Sequence, residues 1–354
     1  MLFRSWATGT KTSNGRISTL AGSAAVAPLT TIMEYAQRAG LRTGLVTTAE
    51  LTDATPAVMA AHVNDRLCQG PADMAPCPAY AAEHGGPGSI AEQMVAHRIT
   101  VLLGGGRARF TQRPAGRPGD NATVLDDAVR RGYRTVFDRT RLASVGPGRR
   151  VLGLFNEGNL TTEWTGAPAA PFPGSGPQRC IEGQRARTTE PSLAEMTEAA
   201  LRVLGSGFFL QVEGASIDKQ DHLQNPCAQI GETVGFDRAV RVARRFAERN
   251  GRTLVVVTAD HGHTSQIVPV VSATETVPRP GALSTLVTAD HAKMTVSYGT
   301  RASGTVQDHT GTQVRIAASG PLSERVSGVT DQTDLFYLIM DALGLSGEIG
   351  RAHV

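Results

Sequence analysis

GFFLQVEGASIDKQDH, residues 207–222, joins a bulky apolar run to a cluster of ionisable side chains. Residues 207–212 have the pattern of a buried strand, and Gly214 interrupts it. Asp218 and His222 stand four apart, so one helical turn puts them on the same face. An Asp–His pair so placed is half of a zinc site. Moving outward, TLVVVTADHGH (253–263) repeats the plan, with an apolar strand delivering Asp260 and His261 at its carboxyl end. QDHTGTQ (307–313) adds His309. Single Asp, His and Arg residues are usually solvated surface groups. Three separated segments that all end in carboxylate or imidazole are hard to account for as packing.

Composition sets the bounds. The chain has 354 residues and 40% apolar content, enough for a large core in one big domain or two. A formal charge of +3 gives no argument for nucleic-acid or membrane partners. No apolar run approaches the ~18 residues of a membrane span, and MLFRSWATG lacks the apolar centre of a signal peptide. Cysteines occur at 68, 77, 180 and 227, an even number with three pairings open. The absence of a CxxC spacing argues against zinc at these thiols, and buried free thiols are the other reading.

Helical patterns fall near 29–39, 55–64, 89–98, 123–131, 192–204, 228–249 and 331–343. Strand-like runs fall near 43–48, 99–103, 133–137, 151–155, 208–213, 253–258, 295–300 and 313–318. This alternation predicts an α/β fold with a mostly parallel central sheet flanked by helices on both faces. Pro/Gly-rich segments at 111–120 and 165–178 read as surface loops. In open α/β sheets ligands gather beyond the carboxyl ends of strands. Residues 53–55, 213–222 and 260–261 all fall there. GGG (104–106) reads as a tight turn rather than a phosphate cradle. Asp290–His291 repeats the TADH tetrapeptide but reads as a loop pair.

VEGASIDKQDH, VTADHGH and DHTGTQ resemble the metal-binding segments of bacterial alkaline phosphatases, and DATPAVMAAHVNDR (53–66) is similar to their phosphate-binding segment. LLGGG (102–106), GETVGFDRAV (231–240) and TDQTDLFYLIMDALGL (330–345) extend the resemblance from about Trp6 to Leu345. The resemblance implies a single domain over 6–345, two zinc ions and one magnesium ion per subunit, a homodimer, and hydrolysis of phosphate monoesters to inorganic phosphate through a phosphoserine intermediate. It implies that Asp218, His222 and His309 hold the first zinc and that Asp260 and His261 hold the second. Glu213 and Thr55 supply hard oxygens suited to magnesium. Arg66 becomes the phosphate clamp, since its planar fork matches two phosphoryl oxygens. Asp53 orients Arg66 and the magnesium's water shell, and Lys219 meets phosphate through water. His263 lies behind the ligands. Disulfides Cys68–Cys77 and Cys180–Cys227 are implied as well, and they fit a periplasmic or secreted setting. For Thr55, which precedes Pro56, and for Asp53, the competing reading is a helix N-cap. His62, His84, His97 and His353 receive no role.

The chain departs from the family pattern at its start. The family's nucleophilic serine, in an Asp-Ser-Ala context, and an aspartate that bridges the second zinc and magnesium both lie upstream of WATGTKTSNG. Here only MLFRS precedes Trp6, and Ser5 follows no Asp. The expectation is therefore a domain lacking its N-terminal part, with absent or weak turnover and a ligand missing from two of three metal sites. MLFRS can be encoded by ATG-CTC-TTC-CGA-TCT and EIGRAHV by GAG-ATC-GGA-AGA-GCA-CAC-GTC, strings that look like sequencing adapters. Residues 1–5 and about 347–354 are expected to be translated adapter, a natural start and tail being the alternative. The competing functions are a non-catalytic zinc- or phosphate-binding fragment, and a related phosphodiesterase or phosphomutase. A sulfatase would need its own modification motif, and no C-x-P-x-R occurs.

Overall fold

The computed structural model describes residues 3–22, 27–116 and 121–347. Residues 1–2 and 348–354 of the expected adapter ends, His353 among them, and residues 117–120 of the 111–120 loop lie outside the described residues. In chain order the strands are β1 (Arg42–Glu50), β2 (Val101–Gly105), β3 (Tyr133–Val136), β4 (Arg150–Leu154), β5 (Ser175–Gln178), β6 (Phe208–Glu213), β7 (Val255–Thr258), β8 (Ser265–Val268), β9 (Ala282–Val287), β10 (Lys293–Tyr298) and β11 (Ile316–Ser319).

β1 lies inside the main sheet, flanked on both sides, and its residues 43–49 are buried. It pairs in parallel with β2 and β6, and the full order is β3-β4-β2-β1-β6, parallel throughout. The period of two divides the core. Leu45, Leu102 and Leu152 point to one face, where they pack with Ala57 and Met59 of the Ala54–Ala60 helix and Met94 of the Ile90–Ala96 helix. Val46, Val101, Leu103 and Val151 point to the other, against Met196, Ala200 and Leu204 of the Leu193–Leu204 helix. Helices thus cover both faces, as continuous apolar strands require.

The structure corrects several sequence boundaries. The 55–64 helix stops at Ala60, because Ala61 turns to extended backbone and Val63 bridges to Ile17. β2 runs on through Gly104 and Gly105. A Cβ at Gly105 would strike the Gly158 carbonyl, so only glycine permits that close approach. Gly106 then turns with φ 86°, in keeping with the tight-turn reading. The 165–178 loop ends in β5, and the run near 295–300 belongs to β10 of a second sheet, order β5-β9-β10-β8. Among the described residues β7 lies outside the main sheet and pairs only with β11, antiparallel.

Cys68–Cys77 and Cys180–Cys227 are both bonded. Cys227 begins the Pro226–Asn250 helix and packs with Ala282, Leu286, Val296 and Tyr298, so this disulfide fastens the second sheet to that helix. No described helix is long and apolar enough to cross a membrane.

Candidate metal centre

The turn after β6 does what the 207–222 reading requires. Gly214 lets the chain pass under Phe236, and Ser216–His222 forms two turns of helix. Asp218 and His222 therefore share a face, with His222 Nε2 3.5 Å from Asp218 Oδ2. The loop carrying His309 folds back over them. His309 Nε2 lies 3.0 Å from Asp218 Oδ1 and 3.0 Å from His222 Nε2. Asp218, His222, His263 and His309 each offer a ligand atom within 4.8 Å of the others.

Tautomers separate ligands from supports. His222 Nδ1–H donates to the Gln307 carbonyl, which leaves the Nε2 lone pair facing the cluster. His263 is reversed. Its Nδ1 accepts the Thr264 N–H at 2.8 Å, so in the neutral ring the proton sits on Nε2, 3.3 Å from Asp218 Oδ1. In that tautomer the ring has no lone pair for a metal, and its Nε2 faces Asp218 Oδ1 without completing a hydrogen bond. Gln307, buried within the quoted QDHTGTQ segment, was not singled out in the sequence; its backbone oxygen carries no sequence signal.

The donor set fits a metal on the structure's own terms. Two imidazole nitrogens 3.0 Å apart lie a few tenths of an ångström inside the ~3.3 Å that tetrahedral zinc ligands at ~2.0–2.1 Å would span. Asp218 Oδ1 is buried without a hydrogen-bond partner. Burial alone would raise the Asp218 carboxyl, but the His263, His309 and His222 imidazoles around it outweigh burial and hold it well below the carboxylate range.

Asp260 and His261 leave the carboxyl end of β7 beside this group. His261 Nε2 is 3.2 Å from Asp260 Oδ2 and 3.6 Å from Asp218 Oδ1, and its ring stacks on His309 at 3.6 Å. Burial raises the Asp260 carboxyl. Glu213, at the end of β6, accepts from Thr47 Oγ1 at 2.7 Å and from Thr55. Burial still pushes its carboxyl up to about 7, with Asp53 and Asp260 adding to the rise. An acid so placed regains its charge when a cation arrives. Asp53 stands at the N-cap of the Ala54–Ala60 helix but makes no side-chain cap bond. It holds Lys219 Nζ at 2.6 Å and accepts from Gln69 Nε2 at 3.2 Å. Burial works against the Lys219 charge, yet Asp53 keeps its ammonium above the ordinary range. Arg66 lies on the loop leading into Cys68, its backbone N–H donating to the Gly15 carbonyl at 2.6 Å.

Asp221 is an acid that the sequence reading passed over. It is 3% exposed, burial pushes it up to about 7, and Ser265 hydrogen-bonds it. Its only signal was a second carboxylate inside DKQDH. Asp290–His291 is the exposed β9–β10 turn, with His291 at φ 66°.

The family model for alkaline phosphatase matches residues 4–304 and 281–345. The chain belongs to the alkaline phosphatase family. It is 51% identical over 352 residues to streptomycin-6-phosphate phosphatase of Streptomyces griseus, covering 96% of this chain and 76% of that protein. Against the alkaline phosphatase of Escherichia coli K12 it is 46% identical over 351 residues, 96% of this chain and 72% of the relative. Among solved structures it resembles the alkaline phosphatase of the Antarctic bacterium TAB5, with TM-score 0.69, 23% identity and coverage of 97% and 83%. The Thermus thermophilus enzyme gives TM-score 0.70, 24% identity and coverage of 99% and 83%. At these identities the solved structures establish the fold, while the curated relatives and the family match establish a phosphoric monoester hydrolase family that works with metal ions.

Proposed function

We propose that this chain is a zinc-dependent phosphate monoesterase framework in which Asp218, His222 and His309 hold the catalytic zinc. The observation that carries the reading is the convergence of His222 Nε2, His309 Nε2 and the unpartnered Asp218 Oδ1, with the His222 tautomer fixed by Gln307. Three protein ligands leave one position open, the pattern of a catalytic site. Asp260 and His261 are assigned to a second zinc, and Glu213 with Thr55 to magnesium. When bound, such ions polarise phosphoryl oxygens and neutralise their charge. The protein groups do the rest. Asp53 holds the Lys219 ammonium where its charge attracts phosphate, and Arg66 is assigned as the phosphate fork. His263 faces Asp218 from outside the ligand set.

No Asp-Ser-Ala occurs in the 354 residues. We therefore assign to this polypeptide metal binding with absent or weak turnover by itself; a non-catalytic zinc-binding fragment is the second reading, favoured by that same observation. Two disulfides support an oxidising, periplasmic or secreted setting, and a homodimer is part of the proposal. The test is hydrolysis of p-nitrophenyl phosphate by the purified chain with zinc and magnesium, before and after EDTA. Streptomycin 6-phosphate is a second substrate, chosen from the name of the 51% identical relative. Zinc uptake without turnover from folded protein supports the fragment reading. EDTA-sensitive turnover shows that a nucleophile other than the Asp-Ser-Ala serine operates. Failure to bind zinc overturns the assignment.

A further inference from the structure

Glu213 and the metal centre mark the carboxyl end of the main sheet. On the opposite rim the amino-terminal ends of β4, β2 and β1 lie side by side. A cavity of about 330 Å³ opens there, and Arg42, Arg98, Arg150, Thr43, Thr100 and His97 line it. Arg42 is the first residue of β1 and Arg150 the first of β4, with Thr100 between them just before β2. Two strand spacings, ~10 Å, separate the backbones of β1 and β4, so both arginine side chains can reach one ligand. No acid offsets these charges. Asp and Glu are absent from residues 35–49, 93–119 and 139–156, the three stretches that build the cavity. Burial, with His62 adding to it, keeps His97 below 6.5, so the positive charge belongs to the guanidinium groups.

The three arginines differ in what else they do. Arg42 Nη1 donates to the Leu204 carbonyl at 2.6 Å, at the end of the Leu193–Leu204 helix. Arg150 donates from Nε to the Arg98 carbonyl and from Nη1 to the Arg131 carbonyl, both at 3.2 Å and both just past helix ends. Capping of this kind uses one donor of Arg42 and two of Arg150, out of five on each guanidinium. Arg98 caps nothing with its side chain. It follows the C-cap His97 of the Ile90–Ala96 helix with φ 54°, the left-handed position where glycine is the default. An arginine held there carries backbone strain that glycine would not. Among the described residues its guanidinium has no hydrogen-bond or ion-pair partner. Helix capping therefore accounts for Arg42 and Arg150 in part and for Arg98 not at all.

We propose that this cavity is a phosphate-group site, separate from the metal centre, in which Arg42, Arg98 and Arg150 clamp one multiply charged phosphate group. Thr43 and Thr100 complete it. Their hydroxyl oxygens accept from Gln37 Nε2 at 3.2 Å and from the Thr43 N–H at 3.5 Å, which leaves both O–H groups free to donate. The volume equals roughly eleven waters at ~30 Å³ each, so the group can carry substituents. Its source is a free phosphate or the headgroup of an anionic lipid. The site stands on its own residues and does not depend on the metal assignment.

The test uses the EDTA-treated chain, so that no metal recruits phosphate elsewhere. Radiolabelled orthophosphate and tripolyphosphate probe a free anion by equilibrium dialysis. Vesicles of phosphatidylglycerol in phosphatidylcholine probe a headgroup by co-sedimentation. Arg98→Gly removes the guanidinium and relieves the left-handed strain, so this variant should fold as the parent does. Arg98→Gln removes the charge and keeps a long side chain. Arg66→Ala removes the fork assigned to the metal centre and serves as the counter-control. The expected result is saturable binding of at least one probe, weakened about tenfold or more by both Arg98 variants and unchanged by Arg66→Ala. Binding of the free anions identifies a soluble ligand, and binding confined to vesicles identifies a headgroup. Failure of all three probes to bind would overturn the proposal. So would undiminished binding by the Arg98 variants, or loss of binding in Arg66→Ala instead.

Discussion

At the residue scale, the chemistry rests on which atom of each imidazole carries the proton. His222→Ala and His309→Ala each remove a proposed ligand and should abolish stoichiometric zinc uptake in a competition titration with a chromophoric chelator. His263→Ala removes only the ring that faces Asp218, so uptake should survive with affinity lowered ~10–100-fold. A complete loss in His263→Ala would make that ring a ligand. A second histidine illustrates the opposite case. His62 is buried, with Nδ1 2.8 Å from the Ser18 carbonyl and Nε2 3.2 Å from Glu34 Oε1. Both ring nitrogens face acceptors, so the imidazolium satisfies both. Burial works against that charge, but Glu34 outweighs it and raises the His62 value above 6.5, while His62 holds the Glu34 carboxyl at about 2 against its own burial. The Glu34 contribution is present above its ordinary 4.5 and is lost as pH falls toward about 2. The His62 contribution is present below 6.5 and is lost as pH rises through its raised value. Thermal denaturation of the metal-free chain should therefore show Tm falling as pH rises through the raised His62 value. Glu34→Gln should flatten that limb. The ligand types and spacings were legible in the sequence; the tautomers were not, because they depend on Thr264 N–H and Gln307 C=O, backbone groups that every residue possesses.

At the element scale, the Pro226–Asn250 helix keeps glycines in its interior despite their cost of ~1 kcal/mol each relative to alanine. Packing explains Gly231: a Cβ there would lie 2.6 Å from Trp164 Cβ and 2.9 Å from its backbone nitrogen. Gly231→Ala should therefore destabilise by about 1–3 kcal/mol in urea denaturation, although it improves helix propensity. A neutral result would mean that the Trp164 segment yields. The same helix holds Glu232, which with Glu163 brackets the buried Arg185 at 2.6 and 2.8 Å. Arg185→Ala leaves two carboxylates facing each other and should cost ~3–5 kcal/mol by the same measurement. Long periodic elements such as this helix, and apolar strands such as β6, were readable from pattern alone. Of the second sheet only β10 was, as the run near 295–300. β5 is SGPQ, with glycine and proline in a four-residue strand, and β8 is SQIV with exposed central residues. Neither alternates enough to announce itself, and both exist because β9 and β10 offer edges far away in sequence.

At the scale of the whole molecule, the parallel sheet and its two helical layers follow from alternation and apolar content, and the family resemblance supplied the disulfide pairing that spacing left open. The departure of β7 from the main sheet left no trace in VVVT, which would look the same with a partner on either side. The fold also dictates what a metal would do to the chain as a polymer. His222 and His309 are 87 residues apart, and β7, β8, β9 and β10 all lie between them. An ion joining the two histidines closes that entire span into a loop, much as a disulfide would, and loops of this length are worth roughly 4–5 kcal/mol of chain entropy in the unfolded state. The metal is then a latch on the second sheet as well as a reagent. Limited trypsin digestion should cut between residues 270 and 305 far faster in EDTA than in zinc, even in a preparation that turns over no substrate.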